Sequence, residues 1–422
     1  MTVRFRSAVS DDVEDRWEIP ALWWATAEPF RGLNAPAYRR PDPAAASQVQ
    51  RILTRHRPAL IRMLGRTRDA GLTDLAAAGE AYVEDPDTAV SPLGAAAVYV
   101  IVNRDYRACC MSMSQHWDHM DSVDTPNLFD SWIIQHGVEF AAEAAVLQSG
   151  LTANRPRPGA TEWSDRLEPL DDHEGGVGGA YAPAWWMRAR LAAAPEADHR
   201  AVLERLAVLR SDPGTDWARL TTSYLAPHVQ DWVDADLSLT GLTRPSAAWR
   251  LLASLTTMEQ FERYITATGG DSYRWDTHLY NVLTQIGPDS ADKLVQRLGG
   301  PRAGHAGFDE LLAILVRLPR DVAYQALLDH HEREPVAKAL TQATVRYPRR
   351  AMRLLSRQLA DTGEAEFALR LQIHARRHPG LASEPTLVDE RVLPWLESTS
   401  RDKLPRWMLE RRLRNLLRED YY

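Results

Sequence analysis

Three stretches, Phe308-Asp-Glu-Leu-Leu-Ala-Ile-Leu-Val-Arg-Leu-Pro319, Ala339-Leu-Thr-Gln-Ala-Thr-Val-Arg-Tyr-Pro348 and Leu371-Gln-Ile-His-Ala-Arg-Arg-His-Pro379, share one pattern. Apolar residues recur at helical spacing (Leu311, Leu312, Leu315; Ala339, Leu340, Ala343) and the run stops at a proline. Pro288, Pro319, Pro348 and Pro379 lie 31, 29 and 31 residues apart. After them come further helical patterns, such as Ala291, Leu294, Val295, Leu298 and Ala351, Leu354, Leu355, Leu359. Proline suits such a joint: it is tolerated in the first turn of a helix and disfavours helical geometry in the residue before it. A helix pair of about 30 residues cannot bury both of its faces alone, so neighbouring pairs must stack. The expected fold is all-α: a HEAT-like α-solenoid of stacked helix pairs with an irregular helical N-terminal region.

Working back along the chain, Ser246 to Leu255 with Met258 to Thr268 reads as a degenerate copy, so repeats are expected over 184–422. Residues 150–183 concentrate Pro, Gly and acidic side chains, the composition of a long loop or linker. Residues 45–149 return to helical spacing, with Val49, Ile52, Leu53, Leu60, Ile61 and Leu64, and read as a helical subdomain. Residues 1–44 hold Pro20, Pro29, Pro36, Pro41 and Pro43 beside Trp17, Trp23 and Trp24, which predicts an extended arm anchored by large rings. No stretch alternates convincingly with the period of a strand.

The 422 residues are 45% apolar and 25% charged, which excludes both wholesale disorder and a membrane bundle. The longest apolar run, Leu93 to Val102, is far shorter than the ~20 residues that span a bilayer and predicts a buried helix. The net charge of -7 is too mild for a molecule that binds nucleic acid over its whole surface. It is unevenly spread: residues 301–422 carry 21 Lys and Arg against 17 Asp and Glu, so the remainder is markedly acidic. Lys293, Lys338 and Lys403 are the only lysines, which leaves arginine to make any cationic contact. The two cysteines are neighbours, Cys109 and Cys110, and cannot form a disulfide framework. With no signal-peptide core at the N-terminus, a cytoplasmic location is expected.

Several segments carry a family resemblance: Thr257-Met-Glu-Gln-Phe-Glu-Arg-Tyr264, Tyr273-Arg-Trp-Asp-Thr-His278, Tyr347-Pro-Arg-Arg-Ala-Met-Arg-Leu-Leu355 and Arg377-His-Pro-Gly-Leu381. They resemble the helical-repeat region of the large bacterial DUF4132 (MolR-like) proteins, and His136-Gly-Val-Glu-Phe-Ala-Ala-Glu-Ala-Ala145 is similar to a helix upstream in those chains. The likeness covers roughly residues 125 to 400, and the sequence stops at Tyr422 where those proteins continue into a further large domain. The resemblance implies a cytosolic bacterial scaffold, and as partners an AAA-type ATPase or a von Willebrand-type protein.

Three places offer chemistry. Gln115-His116-Trp-Asp118-His119 precedes His136 and Glu139, and a helical hairpin turning near Pro126 could bring His116, His119, His136 and Glu139 together as zinc or iron ligands. The alternative places His136 between Trp132 and Phe140 at four-residue spacing, as a half-buried, hydrogen-bonded histidine. Gly175-Gly-Val-Gly-Gly179 lacks the Lys-Ser/Thr of a phosphate loop and follows Asp171-Asp-His-Glu174, so a flexible loop is expected there. The third place is electrostatic. Arg317, Arg346 and Arg377 each stand two residues before a repeat proline, with Arg320, Arg349, Arg350 and Arg353 nearby. In stacked repeats they would form a basic edge for phosphates or an acidic protein surface. Arginines at helix ends also satisfy terminal carbonyls and complement the dipole, which needs no partner.

No catalytic residue and no cofactor is expected from these patterns. The leading expectation is a non-catalytic scaffold that binds a macromolecular partner, chiefly protein, and no membrane. Two alternatives stand beside it. One is a HEAT-like nucleic-acid-binding or DNA-repair protein, marked by Trp185, Trp186, Trp217, Trp232 or Trp249 gathering near Asp216 or Asp231. The other is a metal- or small-molecule-dependent enzyme in the N-terminal helical half.

Overall fold

The structure is a computed structural model, and it describes residues 11–103, 125–153, 166–170, 181–211, 216–239, 242, 245–269, 275–298 and 308–397. The chain divides into two compact units: Met1–Glu18 with Pro288–Tyr422, and Ile19–Gly287. The fold is all-α. Among the described residues the only strands are two residues long each, and no helix is long and apolar enough to cross a membrane.

Helix α1 (Asp11–Glu14) belongs to the first unit. The larger unit, Ile19–Gly287, begins with α2 (Ala21–Thr26), α3 (Ala45–Asp69), α4 (Thr73–Glu84), α5 (Pro92–Val102), α6 (Thr125–His136) and α7 (Val138–Ser149). The run read as a buried helix is α5, in which every residue from Gly94 to Ile101 is buried. At the centre lies α7, against which α5, α6 and the three helices α8 (Tyr181–Ala193), α9 (Glu196–Arg210) and α10 (Asp216–Leu225) all pack. Its sequence explains the position: Ala141, Ala142, Ala144, Ala145 and Val146 are fully buried, so the helix is apolar on nearly every side and small enough for neighbours to approach. Around it Trp132 meets Tyr99 and Phe129 edge-on, with ring centroids 5.8 and 6.0 Å apart. The unit closes with α11 (Gln230–Asp236), α12 (Pro245–Leu252), α13 (Met258–Ala267) and α14 (Trp275–Gln285).

The expected linker at 150–183 lies inside this unit. Strand β1 (Leu151–Thr152) pairs antiparallel with β2 (Glu168–Pro169), and Ala153 and Leu167 are buried in the core that helices on either side of the segment also share. Pro and Gly content marks a change of chain direction, and a change of direction need not be a domain boundary. The arm is likewise fastened. Trp23 packs against Tyr280, the Glu28 backbone N–H donates to Asn281 Oδ1 at 2.6 Å, and the Arg188 Nε–H donates to the Pro29 carbonyl at 2.8 Å.

In the other unit the helices are α15 (Ala291–Val295), α16 (Phe308–Leu315), α17 (Asp321–Asp329), α18 (Glu334–Arg346), α19 (Pro348–Thr362), α20 (Ala365–Arg377), α21 (Pro379–Ala382) and α22 (Leu393–Glu397). Each packs mainly on its next or next-but-one neighbour along the chain. Pro288 lies within a 3-10 turn and Pro319 in the link before α17, whereas Pro348 and Pro379 occupy first helical positions. Their predecessors Tyr347 (φ −124°, ψ 68°) and His378 (φ −129°, ψ 64°) share one non-helical conformation. Gly363 ends α19 with a φ of 67°, in the left-handed region where a β-carbon is strained.

Polar contacts recur at one sequence separation. Arg320 reaches Asp289 (31 residues), the Tyr347 hydroxyl donates to the Arg317 carbonyl (30), Arg350 reaches Asp321 (29) and Arg391 reaches Asp361 (30). Within the larger unit Ser254 donates to the Ser223 carbonyl (31), Gln260 to Gln230 (30) and Arg263 to Asp234 (29).

Candidate functional site

Helix α19 begins Tyr347-Pro-Arg-Arg, a start that creates a local problem. The backbone N–H groups of Arg349 and Arg350 have no partner within the helix, and Tyr347 carries no short side-chain acceptor to cap them. Glu14, in α1, does so from 335 residues away: its carboxylate accepts from the Arg349 N–H at 2.7 Å and the Arg350 N–H at 3.0 Å. Burial raises the Glu14 carboxyl pKa, against the lowering pull of these two N–H groups and of the Arg350 and Arg349 charges.

Arg350 is only 5% exposed. Its Nε–H donates to Asp321 at 2.9 Å, its NH2 to Asp15 at 2.5 Å, and its guanidinium lies 4.8 Å from the centre of the Tyr347 ring. Arg353 grips both Asp321 oxygens, at 2.7 and 2.8 Å, and Arg349 grips Glu384 at 2.8 and 2.7 Å. The Arg353 fork is the main cause that holds the Asp321 carboxyl below its ordinary range. Arg320 is paired with Asp289 at 2.5 Å.

Arg320, Arg349, Arg350 and Arg353 therefore do not form an open basic strip, because each is closed by a carboxylate of the same chain. A charge count over a segment does not reveal this, since the ion pairs form between helices and back to Asp15. Arg346 and Arg377 lie in the last turns of α18 and α20, where a cation complements the helix dipole. Arg346 donates to the Tyr347 hydroxyl at 3.2 Å, and Arg317 offers its carbonyl to the same hydroxyl.

Of the proposed metal ligands, His116 and His119 lie outside the described residues, as do Cys109, Cys110 and Gly175–Gly179. The His136 Nε2–H donates to the Pro86 carbonyl at 2.8 Å and its ring stacks on Phe140 at 4.3 Å. Glu139 is exposed in the first turn of α7. Among the described residues no three His, Cys, Asp or Glu side chains gather as metal ligands. The tryptophans are held by the chain's own side chains. Trp185 meets Trp186 edge-on, Trp232 lies under Arg210, and Trp249 packs between Tyr224 and Arg250. Trp217 crowds Gly150, where a β-carbon would come within 2.2 Å of the indole. Asp216 and Asp231 stand in the first turns of α10 and α11.

Two arginines not singled out by any motif hold the larger unit together. Arg188, 1% exposed, donates to the carbonyls of Pro29, Tyr224 and Ala253, and so ties three segments at one point. Arg190 pairs with buried Asp130 at 2.8 Å and donates to the Arg39 carbonyl at 2.7 Å. Beside Arg188 is a crevice lined also by Arg31, His199 and His228, too narrow to admit water. The two imidazoles are 4.7 Å apart.

These histidines give the protein a pH dependence. Burial, and secondarily His199, pushes the His228 pKa down to about 4, and burial pushes that of His374, whose Nε2–H donates to the Pro348 carbonyl, down to about 4. Both folded values lie below the ordinary 6.5, so the stability they permit is complete above pH 6.5 and is lost as the pH falls from there toward 4. For His374, which is 3% exposed, the full loss is about 3 kcal/mol. Asp321 adds to the loss at still lower pH, while Glu14, with its raised value, opposes it. Urea midpoints are expected to stay level between about pH 8 and 7 and to fall steadily below about 6.5; a midpoint that is flat down to pH 4 would refute this.

The class these contacts define is an all-α protein whose segments are tied by buried arginines. Within that class, residues 45–273, more than half of the chain, match the family described as the YehI second domain, and the chain belongs to that family. The match runs from the first residue of α3 past the end of α13, inside the larger unit. No curated protein and no solved structure matches the chain.

Proposed function

We propose that this protein is a non-catalytic cytosolic α-solenoid scaffold that binds a macromolecular partner, and that the partner is a protein. The observation that carries the reading is the recurrence of side-chain contacts at 29 to 33 residues of separation, from Ser223–Ser254 to Ser356–Asp389. Successive helix pairs stacked in register would produce such rungs, and a stack of that kind offers an extended surface whose length grows with the repeat number. The closed arginines favour a protein over nucleic acid, because phosphate contacts draw on uncommitted cations. The likeness to the DUF4132 helical-repeat region supports an AAA-type ATPase or a von Willebrand-type protein as the partner.

Affinity purification from the native host, with mass spectrometry at low and high salt and with nuclease treatment, tests the reading. One or a few proteins recovered in stoichiometric amount after nuclease treatment are expected. Recovery of nucleic acid alone, or of proteins that nuclease removes, would overturn it.

A further inference from the structure

We propose that the start of α19 is a docking site for an acidic peptide segment of the partner protein, and that Glu14 and Asp15 of this chain occupy it in cis. The inference rests on the scaffold reading and adds to it the chemistry of what is bound. Four features make the site. The Arg349 and Arg350 N–H groups converge on one carboxylate at 2.7 and 3.0 Å, at the positive end of a 15-residue helix. The Arg350 guanidinium is buried and holds a second carboxylate through NH2. Its NH1 is buried too and has no hydrogen-bond partner among the described residues, so the fork keeps an unused donor. Asp321 and Glu384, gripped by Arg353 and Arg349, fix the arginines in place.

The present occupant defines the ligand chemistry: Glu14 is buried at the helix start, while Val13 and Asp15 beside it are exposed. Asp11-Asp-Val-Glu-Asp15 is an acidic run whose only helix, α1, is four residues long. Val13 is 63% exposed and the Asp15 side chain 61% exposed, so these two side chains add little apolar burial to the carboxylate contacts. A partner segment with two consecutive carboxylates would make the same contacts, and one with an apolar residue better buried than Val13 would displace the segment. A phosphate fits less well, because Asp321 and Glu384 would repel its second charge.

The test uses the full chain and a fluorescein-labelled peptide of residues 10–18, Ser-Asp-Asp-Val-Glu-Asp-Arg-Trp-Glu. Anisotropy at low salt compares the unmodified chain with Glu14→Gln/Asp15→Asn, whose cis carboxylates are neutral and isosteric. The expected result is at least about tenfold tighter peptide binding to the double variant, weakened by salt, and no binding of a peptide carrying the same two substitutions. Asp15→Asn alone changes an exposed side chain, keeps the fold, and is expected to give a smaller gain in the same direction. Equal binding to all chains, or no gain in either variant, overturns the docking site. Duplex DNA that binds the double variant more tightly than the peptide overturns the ligand assignment. In each of these cases a partner recovered from the host after nuclease treatment leaves the scaffold reading intact.

Discussion

Asp236→Asn is expected to destabilise the larger unit by about 3–5 kcal/mol, the cost of breaking a buried ion pair from one side. Asp236 is fully buried. Its carboxylate accepts from Arg210 NH2 at 2.5 Å, Arg210 NH1 at 2.9 Å and the Ser223 hydroxyl at 2.6 Å, with Arg219 at 3.3 Å. Arg210 is itself committed, stacked 5.2 Å over Trp232 and bonded to the carbonyls of Arg219 and Trp232. Asparagine has nearly the same volume, so no cavity opens. What changes is that one oxygen becomes an N–H donor facing guanidinium N–H groups, and the buried cation loses its counter-charge. Urea unfolding at neutral pH measures the effect as a lower midpoint. Replacing both members with apolar side chains, Arg210→Met with Asp236→Leu, is expected to recover much of the loss, because it removes the charges together. A loss below about 1 kcal/mol for Asp236→Asn would mean that water reaches the pair. Asp389→Asn makes the contrast: that carboxylate is also held by an arginine, Arg391, yet both lie at the surface and little stability should follow.

The difference between Asp236 and Asp389 is what local reading of the sequence does not deliver. Helical spacing and proline position are properties of a few neighbouring residues, so the ends of α18 and α20 and the start of α19 could be read from Pro348 and Pro379. His136 does stack on Phe140, but it ends α6 while Phe140 lies in α7 beyond Gly137, so a shared helix face is not the reason. Pairing is non-local. Arg350 and Arg317 look alike on the page, yet one is buried among Asp15 and Asp321 and the other offers its carbonyl to Tyr347. In a chain with 47 arginines, each is a candidate for an external anion until its carboxylate is located. Glu14 shows the extreme: it caps a helix from 335 residues away, in a segment whose sequence predicts only an extended arm. The central place of α7 was partly readable, because its apolar residues occupy too many faces for a surface helix, but the segment at 150–183 drew attention to a boundary instead.

Gly94→Ala tests a close backbone contact between α4 and α5, and its expected sign is opposite to the ordinary one. In an exposed helix interior, replacing glycine with alanine adds about 0.5–1 kcal/mol of stability through backbone entropy. Gly94 lies in the first turn of α5, with all of the following turn buried. A β-carbon there would stand 2.2 Å from the Ala78 carbonyl oxygen and 2.9 Å from its carbon, both backbone atoms of α4, and 3.3 Å from the Tyr82 β-carbon. No rotamer change relieves a clash with backbone, so α4 and α5 must separate. Gly79 on α4 faces Leu64 in the same way, but there the β-carbon would meet the end of a flexible side chain, which can turn aside. Separation of α4 from α5 would disturb Tyr82, which is fully buried, and loosen the packing of Ala95 to Val98. Overpacking costs of this kind run to about 1–3 kcal/mol and more where backbone must move. Gly94→Ala is therefore expected to lower the unfolding midpoint clearly, and Gly79→Ala much less. If Gly94→Ala leaves the protein as stable as before, the two helices are not in backbone contact, and the explanation for glycine at that position fails with it.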